Sequence, residues 1–95
     1  MSAYIVVEVT VKDPEKFQDY RKMVPPTLEV YGGKYLVRGG HTEQLEGDHL
    51  PARFVVIEFE NSERAKAWLN SDEYRDARAL RHAAAETNMF VVEGV

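Results

Sequence analysis

The chain of 95 residues contains no cysteine. Disulfides, thiolate metal sites and a thiol nucleophile are therefore excluded, and a reducing, cytoplasmic setting is expected. No apolar run approaches the roughly 20 residues that cross a bilayer. The opening MSAYIVVEV lacks the basic segment and long apolar stretch of a secretory leader. Basic clusters are also missing and the formal net charge is −4, so neither nucleic acid nor a membrane surface is an expected partner. The histidines His41, His49 and His82 show no metal-ligand spacing of the H-E-x-x-H kind, and neither a metal nor another cofactor is expected. No serine sits in a G-x-S-x-G context and no glycine-rich phosphate loop follows a strand. Hydrolase and nucleotide-binding functions are accordingly poor candidates.

What is present is globular. Apolar residues make up 44% of the chain without low-complexity segments, as expected of one domain over residues 1–95. Tyr4 to Val11 is nearly continuous, valine-rich and apolar, a strand. Asp13-Pro14 then supplies an N-cap and a first helical residue. Phe17, Tyr20, Val24, Leu28 and Tyr31 recur at spacings of three and four, one face of a helix. Pro25-Pro26 predicts a break or kink in it, with the apolar face kept in phase, and Gly32-Gly33 a stop. Lys34 to Arg38 reads as a second strand, residues 39–52 as a polar connection, and Arg53 to Glu60 as a third strand. Asn61-Ser62 and Ser71 read as caps of two further helical pieces, and Met89 to Glu93 as the last strand. The order is βαββαβ.

A weak internal repeat supports this order. VVEVTVKDPEKFQDY, from Val6, aligns without a gap on FVVIEFENSERAKAW, from Phe54, placing Tyr20 on Trp68. Two βαβ halves predict an α+β, ferredoxin-like fold: a four-stranded antiparallel sheet with its helices on one face. Ile5, Val7 and Val9, like Val55, Ile57 and Phe59, form apolar faces suited to the helices. The opposite faces stay largely apolar, where a solvated antiparallel sheet would be polar. A homodimer packed through these outer faces is expected, covering Tyr4, Val6, Phe54, Val56, Met89 and Val91. The alternative is a monomer whose 39–52 connection folds over the sheet.

The segments YGGKYLVRGG, LEGD, RFVVIEF, AWLNSDEY and VVEG resemble the uncharacterised domain-of-unknown-function family 1330, over essentially the whole chain. That resemblance implies membership of the dimeric α/β-barrel superfamily, with a ferredoxin-like protomer and a sheet-to-sheet homodimer. It implies little about chemistry. Wider relatives include cofactor-independent monooxygenases, muconolactone isomerase-like enzymes and haem-using enzymes.

The residues themselves suggest one candidate site. Strand parity puts Arg38 opposite Tyr35 and Val37, on the outer face with Glu58, and adjacent strands would let the two pair. Such a pair could simply fix register. Alternatively, Arg38 binds a small anionic organic substrate through its planar donors, with Glu58 orienting it or acting as a base. His41, after Gly39-Gly40, is a candidate for proton exchange. Tyr74 and Arg81 share a helix face and could bind the same substrate, or be core and structural residues. Arg38, His41 and Glu58 are thus the catalytic candidates, and Arg38, Tyr74 and Arg81 the substrate-binding ones. Three functions stay open: a cofactor-independent enzyme of proton transfer, isomerase or lyase type, a non-catalytic binding or dimerisation module, and, as the resemblance implies, a cofactor-independent monooxygenase-like enzyme.

Overall fold

The computed structural model describes residues 1–95. Its elements run β1 (Ala3–Val11), α1 (Pro14–Tyr31), β2 (Lys34–Arg38), β3 (Arg53–Phe59), α2 (Ser62–Leu69), α3 (Asp72–Ala84) and β4 (Ala85–Glu93). The sheet is antiparallel throughout, in the order β2-β3-β1-β4. This is the expected ferredoxin-like arrangement, with the second helix in two pieces. No helix is long and apolar enough to cross a membrane.

Local chemistry sets the helix ends. The side chains of Asp13, Asn61 and Ser71 accept hydrogen bonds from the backbone N–H of Lys16, Arg64 and Tyr74, satisfying otherwise orphaned donors at all three helix starts. Gly32 ends α1 in the left-handed conformation at φ 73°, which a side chain would strain.

Between the sheet and the helices lies an aromatic core. Trp68, Tyr74 and Phe59 are its largest fully buried side chains. The Trp68 ring lies 4.1 Å from that of Tyr74 and 5.6 Å from that of Phe59, centroid to centroid. Its indole N–H donates to Thr27 Oγ1 at 3.0 Å, and that hydroxyl donates in turn to the Val24 carbonyl.

Three expectations are corrected. First, of the break or kink expected at Pro25-Pro26, no break occurs: α1 runs through both prolines, with its apolar face in phase as expected. Val24, Thr27 and Leu28 are all buried on the core side, and this packing holds the helix in phase across the missing hydrogen bonds. Second, β4 begins at Ala85, and its register pairs Val91 with Ile5 and Met89 with Val7. Directly opposed residues share a face, so Met89 and Val91 pack on the core and Phe90 and Val92 point outward. Third, β2 carries an irregularity. Tyr35 pairs with Ile57, but Val37 pairs with Val56 and Arg38 with Val55. The extra residue reverses the side-chain alternation. Val37 faces outward and Arg38 faces the helices.

The outer face retains its apolar character at both edges of the sheet. Leu36, Phe90 and Val92 are 49%, 50% and 46% exposed. The 39–52 connection reaches this face through the His49 ring, which hydrogen-bonds the Glu8 carboxylate. Asn88 also donates to Glu8, at 3.2 Å. These bonds, that of His49 first, hold the Glu8 carboxyl below its ordinary value.

Candidate functional site

On the helix side of the sheet is a narrow cleft walled by β-strand valines and the rings of Phe17, Tyr20, Tyr35 and Trp68. Four of the protein's seven arginines line it: Arg21, Arg38, Arg53 and Arg81. No carboxylate lines it. None of the five ion pairs of the protein involves any of the four.

Three of the four arginines have an identifiable anchor. Arg38 donates to the backbone carbonyl of Arg21 at 2.8 Å. That carbonyl is free because its usual helical donor would be the N–H of residue 25, which is proline. The Arg38 guanidinium also lies 4.5 Å from the centroid of the Tyr35 ring, in cation–π range. Arg53 opens β3 and stacks 5.4 Å from the Phe17 centroid. Gly39 makes room for it: at φ 73°, a Cβ there would fall within 2.5 Å of the Arg53 guanidinium. Gly40 has no such neighbour. Arg81, 5% exposed, donates to Thr87 Oγ1 and lies 3.3 Å from His82 Nε2. The buried Nε atoms of Arg21, Arg53 and Arg81 have no hydrogen-bond partner.

The electrostatics follow from this crowding. Burial lowers the Arg53 value, and the charges of Arg21 and Arg38 add to the effect. The Tyr20 and Tyr74 hydroxyls are 2.7 Å apart. Burial pushes both phenols up, and for Tyr20 the neighbouring Tyr74 adds to it. Burial raises Tyr35 likewise. The phenols therefore stay protonated near neutrality. The cleft offers hydrogen-bond donors and positive charge, and no general base among its lining groups. Its free volume is about 30 Å³, roughly one water's share of space and far below the roughly 300 Å³ of a preformed small-molecule site.

The structure brings together only part of the expected set. Arg38 and Arg81 line the cleft, and Tyr74 stands behind Tyr20 through their hydroxyl contact. Glu58 does not meet Arg38. It lies on the outer face, in register with Lys34 and Tyr4. The expected Arg38–Glu58 pair assumed uninterrupted alternation along β2, which the irregularity removes. His41 is also elsewhere, in the exposed connection, 3.9 Å from Glu43. Ser71 is the N-cap of α3, and Trp68 is core. Arg21, Arg53, Tyr20 and Tyr35 were missed as site residues. The signal for the arginines was available: Arg21 sits four residues after Phe17, at the edge of the apolar stripe of α1, and Arg53 shares strand parity with Val55 and Ile57.

The family described as Domain of unknown function (DUF1330) matches residues 2–95 of the chain. No curated protein matches it. Among solved structures, the chain is similar to a protein of unknown function from Rhodopseudomonas palustris, with a TM-score of 0.81 and 18% identity over 99% of this chain and 82% of that one. It is also similar to SnoaB, a cofactor-independent oxygenase from Streptomyces nogalater, at TM-score 0.59 and 13% identity over 99% and 93% of the two chains. A candidate antibiotic biosynthesis monooxygenase from Nitrosomonas europaea matches at TM-score 0.59 and 17% identity, over 100% and 99%. At identities this low, the likeness is one of fold.

Proposed function

The chain belongs to the DUF1330 family, and we propose that it binds a small organic anion in the arginine cleft between its sheet and its helices. The observation that carries this is the charge imbalance of the lining, four guanidiniums and no carboxylate, inside a protein whose formal net charge is −4. Partly buried cations without counter-charge are costly, and an entering carboxylate would relieve that cost through paired, charge-assisted hydrogen bonds. Entry displaces the side chains that now fill the mouth, of which Arg38 is exposed. A cleft of guanidinium and phenol donors without a carboxylate stabilises an oxyanion, such as the enolate or phenolate form of its guest. Any catalysis here therefore draws its reactivity from the bound molecule. A cofactor-independent oxygenase of the SnoaB kind is the second reading, favoured by the apolar and aromatic walls around those donors.

The test is titration with butyrate, with benzoate and with inorganic phosphate, followed by the fluorescence of Trp68, the protein's one tryptophan. Saturable binding that weakens with added salt is expected. Arg53→Met, which keeps a flexible apolar stem over Phe17, should weaken it about tenfold or more, as expected for a lost charged hydrogen bond. No saturable signal with any of the three anions overturns the reading.

The same proposal includes a second copy of the chain. The outer sheet face leaves Leu36, Phe90 and Val92 half exposed, and covering the remaining half of each would contribute roughly 1 kcal/mol. Two copies meeting through this face account for an apolar outer surface on an antiparallel sheet. Phe90→Asp should convert a dimer into a folded monomer, as measured by light scattering with circular dichroism as the control. A wild-type protein that is monomeric at micromolar concentration rules the dimer out.

A further inference from the structure

The four arginines are not one cluster. Arg38 comes from β2, at one edge of the sheet, and Arg53 from its neighbour β3. Arg38 bonds the Arg21 carbonyl, so these three share the mouth of the cleft beside α1. Arg81 belongs to the opposite side. It comes from α3 and is held by Thr87 of β4, the other edge strand. Between the two ends lies an apolar floor that includes Val7, Val9 and Ile57. Tyr20 reaches the inner half from α1, where its hydroxyl meets that of Tyr74.

Both ends keep unused donor capacity. At the mouth, the Nε groups of Arg21 and Arg53 are buried without a partner. At the inner end, Arg81 is 5% exposed and its Nε is equally unpartnered, while it lines the cleft. Buried polar groups are normally hydrogen-bonded. An unpartnered guanidinium nitrogen at each end of one apolar floor is what a ligand with an acidic group at each end would satisfy. A single carboxylate would reach one end and leave the other uncompensated.

We propose that the ligand of this cleft is a small dicarboxylate, spanning from the Arg21–Arg38–Arg53 mouth to Arg81 across the apolar floor. This deepens, and rests on, the assignment of the cleft as an anion site. It also predicts that chain length matters, because the ends are fixed by opposite edges of one sheet while the middle only excludes water.

The experiment compares succinate, glutarate and adipate with butyrate, valerate and hexanoate, which have the same carbon counts but one carboxylate fewer. Binding is read from Trp68 fluorescence and from calorimetry on the full chain. At least one dicarboxylate should bind tenfold or more tightly than its matched monocarboxylate, with an optimum in the length series. That advantage should vanish in Arg38→Met and in Arg81→Lys, the latter keeping charge while losing the planar fork. Circular dichroism identifies a variant that fails to fold, and Arg38→Met, at an exposed position, tests the mouth independently of Arg81. Equal affinity for mono- and dicarboxylates overturns the two-ended ligand while leaving an anion site. An advantage that persists in both folded variants also overturns it, as does phosphate binding as tightly as the best dicarboxylate. Failure of every carboxylate and of phosphate removes the anion site itself.

Discussion

Replacing Pro25 with alanine is expected to make the protein more stable and a weaker binder of anions. The proline sits inside α1, where it removes one helical hydrogen bond and crowds the preceding turn. Alanine there is favoured by roughly 3 kcal/mol in intrinsic terms. The loss of proline's restraint on the unfolded chain offsets that by about 0.4–1 kcal/mol, for a net gain of about 2 kcal/mol. The same change gives Arg21's carbonyl an intrahelical donor. Arg38, which now bonds that carbonyl at 2.8 Å, then competes for an acceptor already engaged. A carbonyl has two lone pairs, so the loss is partial, and an affinity drop of about threefold to tenfold is expected. Urea unfolding and anion titration on the same sample check both halves. Higher stability with unchanged affinity would show that Arg38 is placed by the Tyr35 ring and not by the freed carbonyl.

Trp68→Ala should be the most damaging single substitution. Trp68 is fully buried between Phe59 and Tyr74 and donates to Thr27. Truncation removes a large apolar side chain and opens a cavity, which costs about 3–5 kcal/mol. For a domain whose whole stability is of the order of 5–15 kcal/mol, much of the population would unfold in mild denaturant. Trp68→Phe keeps most of the volume and loses the indole donor, so about 1–2 kcal/mol is expected. Urea melts followed by circular dichroism separate the two. A Trp68→Ala protein within 1 kcal/mol of the wild type would mean that the ring pocket collapses without strain.

These predictions rest on features that differ in how far one sequence could reveal them. The caps Asp13, Asn61 and Ser71 were legible because capping is local: the side chain bonds an N–H within the next turn. Strand order was legible through the repeat that places Tyr20 on Trp68. The inward direction of Arg53 followed from simple parity with Val55 and Ile57, and the position of Arg21 from helical spacing. The turning of Arg38 toward the helices was not legible. It depends on how β2 registers against β3, a property of two strands joined by a 14-residue connection. The phase of β4 was hidden for a related reason: apolar residues fall at both parities, with Met89 and Val91 alternating with Phe90 and Val92. Only pairing with β1 decides which set turns inward. The persistence of α1 through two prolines reflects tertiary packing that overrides local propensity.

The pairing of β1 with β4 also governs the order in which the molecule can assemble. Glu8 and Asn88, joined across that pair, stand 80 positions apart in the chain. Closing so long a loop is slow relative to forming helices or a hairpin. The β2–β3 hairpin and the three capped helices can therefore form early, bringing Arg38 to Arg53. Thr87, which holds Arg81, arrives only with the last strand. The cleft is thus completed at the end of folding, and a molecule bound across it would act mainly as a brake on unfolding.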